Sequence, residues 1–567
     1  QVHLRGVVVE GVRWHLRQGV DDPTSNFTQW IAALSSGDTT APGAPWAIQA
    51  DAFTIRDLRF THHKDTAPVR PFGVDFDHVD VSGDVLGHDL LVIEDSIQAV
   101  LDHISFREKS GLVCTGLQGR ATVSGRGIAV EYLELRTPFS TLRGRYEMRS
   151  ASWKDYTGYI DRVEMLAELD SSVVDLRDIA WFAPDLEGLA ARVGVRGRAR
   201  GTVRELKARD LTLDYGRHTH FEGSVEMSGL PDLAGTFVVV DARTLRTDAA
   251  DLATVPVPPF PEGRVLEVPR ELAVLGPMAF RGNFTGFASA FTAYGSATTQ
   301  LGALSTDLSY ERDTVSDVFR FNGALATTGF DLGPLAGDPT VGPIAFDVKV
   351  NAKGRDLATM QADLDGRVPL ITINDRPLTG ITASGRLQRR LFNGRLTCDD
   401  PSVKLSFDGL ADLRGKWPKV DFTADLERAD LFELNIAPEL HLGEVSGIVR
   451  AQGELAPDSL KGRLAIEGLT YCDDQGVLEL GDVELASARR DGEPMLSLRS
   501  GLVDADVQGR FLPTRLPDAF LSVVYSVFPA LSDRARYDQE EQRFAFDVHV
   551  KEAGPLLRRL VPRLELG

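Results

Sequence analysis

The chain has 567 residues, of which 43% are hydrophobic and 25% are charged, and it includes 53 glycines and 29 prolines. This balance is that of a folded protein with many turns, and it predicts numerous short strands instead of long helices. The formal net charge of −20 repels phosphate groups over long range, so we exclude nucleic acid as a partner.

The first part of the chain mixes strand and helix patterns. Residues 2–14 alternate like a strand, and residues 53–60 return to the same spacing. Between them, Asn26 is predicted to cap a short helix with Phe27, Trp30, Ile31 and Leu34 on one face. Residues 96–104 predict a second amphipathic helix, because apolar side chains recur there at i, i+3, i+4 and i+7. These side chains are Ile97, Val100, Leu101 and Ile104.

From residue 112 onward, apolar and polar residues alternate with a period of two. Such alternation gives a strand one apolar face and one polar face. We expect the apolar members of the three clearest runs to lie on the concave side of a curled sheet, with their charged neighbours outside. They are Phe346, Val348, Val350, Val403, Leu405, Phe407, Phe544, Phe546 and Val548.

A looser repeat accompanies this alternation. In three places a strand runs into Asp-Leu, and a short apolar turn of helix is predicted to follow, at residues 174–182, 330–335 and 429–434. The spacing is unequal, so the units carry insertions, although the architecture remains quasi-linear. We predict four segments: 1–111, with strands and two short helices, and three β segments at 112–331, 332–430 and 431–567.

Residues 215–310 combine strand patterns with glycine-rich breaks. Strands are predicted at 224–227, 236–240, 278–280 and 284–291, with turns at 229–232, 281–283 and 294–296. About 14 residues for each strand and turn would give roughly 40 strands in the chain. An open sheet of that size must twist and curl into a trough.

Two arrangements of the apolar faces are consistent with this pattern. In a trough, something apolar must fill the groove, whereas in ordinary β-sandwich domains each face packs on another. The 28 phenylalanines, against 10 tyrosines and 6 tryptophans, favour the trough, because phenyl rings without a polar group suit contact with lipid chains.

Motifs for catalysis or metal binding are not found. The cysteines, Cys114, Cys398 and Cys472, lack metal-ligand spacing, and the histidine pairs at 62–63 and 218–220 lack an evident third ligand. We therefore predict no enzyme activity and no cofactor; a hydrolase would need paired carboxylates in one cleft. The longest apolar run, at 519–531, is shorter than the roughly 20 residues of a membrane helix. Because the chain begins with Gln1 instead of Met, we expect an interior fragment of a longer protein.

The chain resembles the AsmA-like TamB family in its Bacteroidetes form over most of its length, most densely at residues 97–310. The matching residues are Phe106, Glu108, Lys109, Ser110 and Gly111, then Gly229, Leu230, Pro231, Asp232, Thr236, Phe237, Leu275, Gly276, Phe280, Gly282, Phe284, Thr285, Gly286, Phe287, Tyr294, Gly295, Thr299, Leu301 and Gly302. The resemblance implies a mainly β, mostly antiparallel, elongated and twisted β-groove (a β-taco) with a few short helices. It also implies a periplasmic location, with an inner-membrane anchor outside this fragment.

The same resemblance implies two functions. The first is transport of phospholipids along the hydrophobic groove between the inner and outer membranes. The second is a scaffold or chaperone role in outer-membrane protein assembly and secretion, with an outer-membrane β-barrel as partner and sheet edges that offer β-augmentation.

Overall fold

The computed structural model describes residues 2–20, 26, 47–93, 95–183, 186–313, 315–355, 359–388, 391–436, 442–454, 456, 461–474, 476–490, 492–516, 519 and 542–551. The chain divides into two compact units, Gln1–Gln300 and Leu301–Gly567. The predicted segment boundaries after residues 111, 331 and 430 fall inside these units, each at a turn between two strands.

Unit 1 contains sixteen strands in its described part. They are β1 Val2–Leu4, β2 Val7–Glu10, β3 Arg13–Gln18, β4 Ala47–Lys64, β5 His78–Ile93, β6 Ser96–Glu108, β7 Val113–Ser124, β8 Gly127–Arg136, β9 Thr141–Arg149, β10 Glu164–Asp175, β11 Arg192–Gly201, β12 Glu205–Tyr215, β13 Thr219–Ser228, β14 Phe237–Thr247, β15 Met278–Phe287 and β16 Ala290–Thr299. Its helical turns are Trp153–Gly158, Tyr159–Arg162, Leu176–Ala180, Ala249–Leu252, Phe260–Glu262 and Arg270–Val274.

Unit 2 contributes fourteen described strands. They are β17 Gly302–Asp313, β18 Val318–Asp331, β19 Val341–Gly354, β20 Gln361–Ile373, β21 Arg376–Gln388, β22 Leu391–Asp399, β23 Val403–Asp412, β24 Lys419–Asp430, β25 Glu444–Glu454, β26 Lys461–Asp473, β27 Gly476–Arg490, β28 Glu493–Ser500, β29 Val503–Arg510 and β30 Arg543–Val550. Its helical turns are Gly333–Ala336 and Pro513–Arg515.

Within each unit, strands pair antiparallel with the strands before and after them in sequence. The exception is the start of unit 1, where β1, β2 and β3 run parallel to successive parts of the long strand β4. Strand accounts for 69% of the structure and helix for 7%, which confirms the predicted mainly β fold with a few short helices. The strands are longer than we expected, so there are 30 among the described residues instead of roughly 40.

The helix predicted at residues 96–104 is wrong, because this segment forms most of β6. The register of β6 against β7 shifts between Leu101 and Ile104. A bulge adds one residue to a strand, so the apolar spacing across it becomes three and imitates a helical period. The β-branched residues Ile97, Val100 and Ile104 favour a strand. The helix predicted after Asn26 lies outside the described residues, while Asn26 itself donates from Nδ2 to the carbonyl of His15 (2.8 Å).

Two predicted turns are also wrong. Residues 281–283 lie inside β15 and residues 294–296 lie inside β16, whereas the predicted strand 284–291 crosses the turn between them. Gly282 and Gly295 pair directly with each other in mid-strand. A Cβ on Gly295 would stand 2.9 Å from Cζ of Phe280, so these glycines leave room for a ring that lies across the two strands. The turn predicted at 229–232 is confirmed between β13 and β14.

The Asp-Leu repeat forms a helix in two of its three occurrences. Asp175 caps the helix Leu176–Ala180 by accepting from the backbone N–H of Arg177 (3.1 Å). The second occurrence leads into the helix Gly333–Ala336. The third has turns only, closed by a bond from Leu434 N–H to the Asp430 carbonyl (2.9 Å).

A line of β-bulges crosses unit 1. Every strand pair from β4–β5 to β14–β15 has a register shift near the middle of the strands. At this bulge seam Asp57, Tyr132, Ser171 and Asp210 have positive φ, between 39° and 52°. Gly144 faces one of these bulges, and a Cβ there would stand 1.9 Å from the carbonyl oxygen of Glu168. Because a bulge bends its strand, successive strands of unit 1 bend at one level.

Candidate functional site: two apolar sheet faces

The strand register places all nine predicted groove residues on one face of the unit 2 sheet. Directly paired residues in an antiparallel sheet project to the same side. Val348 pairs with Leu325 in β18 and with Gly366 in β20, and the chain of pairs continues through Ala383 and Leu396 to Phe407. That these residues line a lipid groove, and that the face is concave, stay predictions.

One row of this face runs across the unit from β17 to β30. Its members, each paired with the next, are apolar or glycine throughout. They are Leu308, Gly323, Val350, Leu364, Gly385, Gly394, Gly409, Phe422, Ala451, Leu464, Leu485, Leu498, Ala505 and Val548. Fourteen strands about 4.8 Å apart span about 60 Å, so the row is several acyl chains long.

The exposure of these side chains differs along the face. Val403 is buried in a cluster with Cys398 and Ala429, against which Leu405 packs. Phe346, Val348, Val350, Phe407 and Phe544 are half-buried. On β30, Phe546 is 52% exposed and Val548 is 45% exposed. A sandwich would bury such residues between two sheets, so this half-burial favours an apolar face that is not covered by a second sheet.

The opposite face of the unit 2 sheet carries ion pairs between neighbouring strands. All of them are solvent-exposed, so each contributes at most about 1 kcal/mol, and their main effect is to keep this face polar. The closest pairs are Arg450 with Glu467 (2.5 Å), Lys404 with Glu427 (2.6 Å), Asp363 with Arg386 (2.7 Å), Arg395 with Asp408 (2.7 Å), Arg463 with Glu484 (2.7 Å) and Arg499 with Asp506 (2.7 Å).

Unit 1 has an apolar face of the same kind. A continuous row connects Ala99, Ala121, Val130, Tyr146, Ala167, Ala199, Ala208, Val225, Val240, Phe284 and Ala293. Phe280, Phe284 and Gly282, which carry part of the family resemblance, therefore lie on this face. Glu108 of the other motif has a local role, since its carboxylate accepts from the backbone N–H groups of Asp80 (3.3 Å) and Ser110 (2.6 Å).

Tyrosines at the margins of the apolar faces were not singled out by the sequence. Tyr215 donates from Oη to the carbonyl of Thr254 (2.7 Å), and Tyr471 accepts at Oη from the backbone N–H of Gly443 (3.1 Å). Tyr159, in a helical turn, donates to Sδ of Met165 on the apolar face (3.0 Å), and burial raises the pKa of nearby Tyr146. These hydroxyls attach segments from the strand ends to the face, which Phe cannot do.

In each unit, buried carboxylates lie along the margin where even-numbered strands end, which we call the carboxylate margin of that unit. Each accepts hydrogen bonds from an adjoining turn. Asp75 accepts from Arg70 N–H (3.0 Å) and Asp400 from Ser402 N–H (2.8 Å). Burial alone would raise the pKa of Asp251, but the N–H groups of Arg217, His218 and Thr219 together lower it to about 2.

The histidines of the two pairs contact carboxylates, a carbonyl oxygen or another histidine ring. His218 contacts Asp248 (2.5 Å), while His220 contacts Asp214 (2.7 Å) and Glu222 (3.1 Å). In the described part of the chain one group, His218 with Asp248 and Asp251, has the proximity of metal ligands. The carboxylate of Asp251 accepts from the N–H groups of Arg217, His218 and Thr219 and from Oγ1 of Thr219, so it holds this turn to the start of the connection after β14. His62 binds the Phe76 carbonyl through Nδ1 (2.9 Å), and the ring of His63 makes an edge-to-face contact with that of His78.

Comparisons with family profiles, characterised proteins and solved structures found no match to this chain. Among the described residues, no helix is long and apolar enough to cross a membrane.

Proposed function

We propose that this protein carries phospholipid acyl chains along the apolar faces of its sheets. The observation that carries the proposal is the uninterrupted apolar row from Leu308 to Val548, which crosses fourteen strands while the reverse face is charged. Acyl chains gain about 0.8 kcal/mol for each CH₂ removed from water, so a long apolar strip favours lipid over water. The proposal assigns the protein no enzymatic step, metal or cofactor.

The location and partners belong to the same proposal. The motif residues that resemble the TamB family support a periplasmic protein held to the inner membrane. Phospholipids are its cargo, delivered towards the outer membrane. A barrel protein of the outer membrane is the proposed partner where the phospholipid is delivered.

The test is a charge placed on the apolar face. Leu405→Asp brings a carboxylate onto the path. An acyl chain that passes it must either desolvate the carboxylate or lie against the water that hydrates it, and the cost is on the order of several kcal/mol. We expect delivery of lipid to the outer membrane to stop. Because Leu405 packs on a buried cluster, Val548→Asp at an exposed site repeats the test with less risk to folding. Ser406→Asp, on the opposite face of the same strand, is the matched control and should transport normally.

The second candidate function is a scaffold for outer-membrane proteins. It is favoured by β30, whose side chains are exposed on both sides. If sheet edges offered β-augmentation, proline substitutions in β30 would block assembly of the barrel proteins. In that case folded Leu405→Asp protein would deliver lipid normally, and this result would overturn the conduit.

A further inference from the structure

The connection between β14 and β15, residues 248–277, runs along the carboxylate margin of unit 1, on the side of the apolar face. It starts at the carboxylate margin, where Asp251 accepts from Oγ1 of Thr219 (2.9 Å), and Thr254 accepts from Oη of Tyr215 (2.7 Å). Tyr215 and Thr219 pair with each other and project to the same side as Leu213 and Phe221, which pair two residues further along the strands. The base of this connection is therefore attached on the apolar side.

The middle of the connection is a small hairpin with an aromatic tip. Val257 N–H bonds to the Arg264 carbonyl (3.0 Å), and Leu266 N–H bonds to the Val255 carbonyl (2.8 Å). Phe260 at the tip is 7% exposed. It reaches the turn before β11, where a Cβ on Gly188 would stand 2.8 Å from the Phe260 carbonyl carbon. The hairpin thus passes β13 and β12 to reach the start of β11.

We propose that residues 248–277 form a strap that closes the lipid groove of unit 1 along the carboxylate margin between β11 and β14. This inference rests on the function proposed above. The attachment is of two strengths. The base is fixed by the buried carboxylate of Asp251, whereas Thr254, three residues further on, is held by the bond of Tyr215, and the tip is held by the packing of Phe260. The strap therefore opens from its tip while its base stays attached, and acyl chains enter or leave at that margin.

The test measures coverage of the face without using lipid. A cysteine is placed by Val193→Cys, which pairs with Tyr215 beneath the strap, and is treated with a water-soluble maleimide. Peptide mass spectrometry follows each site, so the native thiols Cys114, Cys398 and Cys472 are internal references. Adding Tyr215→Phe should raise the labelling rate by about fivefold, the effect of losing one ordinary hydrogen bond on an opening equilibrium. Adding Phe260→Ala should raise it at least as much.

Leu498→Cys, on the apolar face of unit 2, is the matched control, and its labelling should not respond to either change. Equal labelling of Val193→Cys with and without Phe260→Ala would overturn the strap. A second measurement follows the release of spin-labelled stearic acid, which Phe260→Ala should accelerate. If Val193→Cys is protected from the maleimide in a protein that binds no stearic acid, the strap is supported and the lipid function is refuted.

Discussion

Single buried carboxylates hold neighbouring turns together by accepting several hydrogen bonds each. Asp251 is 6% exposed, yet it remains charged because four donors from the turn between β12 and β13 surround it. A carboxylate with a lowered pKa in the folded state stabilises the protein above its unfolded pKa of about 4. That contribution is lost as the pH falls through the folded value of about 2.

Replacing Asp251 by Asn removes this charge and presents an N–H₂ group to donors. We expect the free energy of unfolding to fall by about 2 kcal/mol at pH 6, and the difference from the parent protein to shrink between about pH 4 and pH 2. Urea unfolding at several pH values measures this. Asp474→Asn, at an exposed position, is the control and should change little. A difference that stays constant with pH would contradict the assignment to charge.

At the scale of strands, the bulge seam explains how long strands in unit 1 bend without breaking. Each bulge leaves one residue unpaired and turns the backbone. Tyr132 occupies such a position with φ of 52° and its ring 83% exposed, so its backbone carries the cost of a left-handed conformation without a packing gain.

Tyr132→Gly should therefore stabilise the protein by about 0.5–1 kcal/mol, since glycine adopts positive φ freely but loses more entropy on folding. Tyr294 is a matched site, because it is also exposed on a strand, and its φ is not positive. Tyr294→Gly should destabilise by about 0.5–1 kcal/mol. Denaturant midpoints compare the two, and changes of the same sign would refute the role of the seam.

The strands were predictable from the sequence to the extent that alternation persists. Val403, Leu405 and Phe407 alternate with polar residues, so both the strand and the side on which these residues lie followed from the sequence. Alternation fails at a bulge, and for this reason β6 was taken for a helix. Glycine also misled the prediction, because Gly282 and Gly295 were interpreted as turns although they make room for Phe280. Neither effect is visible until the partner strand is known.

For the molecule as a whole, few large apolar side chains are completely buried in the described part of the chain. Among the described residues, the largest side chains that are fully buried are Val163, Asp75 and Ser172. A protein with a closed core would bury Leu, Ile and Phe instead. The apolar side chains of the two faces are therefore covered partly by their neighbours and partly by whatever molecule binds to the faces.

This division predicts that the folded protein, stripped of lipid, binds a solvatochromic dye such as anilinonaphthalene sulfonate. Phospholipid vesicles or free stearic acid should displace the dye, because both compete for the same apolar rows. Near-UV circular dichroism establishes that the protein is folded during the titration. If the dye does not fluoresce with the folded, lipid-free protein, the two faces are covered and this prediction is wrong.

The candidate site was predictable only in part. The register collects residues as distant as Val350 and Val548 into one row, although the sequence could show only that each belongs to an apolar alternate. Tyr215 and the strap were not predicted, because a hydrogen bond between a strand and a distant connection leaves no periodic trace.

The order of pairing has a further consequence for how the protein is made. Almost every described strand pairs with its immediate neighbours in sequence, so each new hairpin can dock on the part of the sheet already formed. Such local pairing closes small loops and avoids a search for distant partners. A chain that emerges gradually, from a ribosome or through a translocon, can therefore fold in the order in which it appears. For the same reason, a hairpin could be gained or lost by duplication or deletion without rearranging the strands on either side.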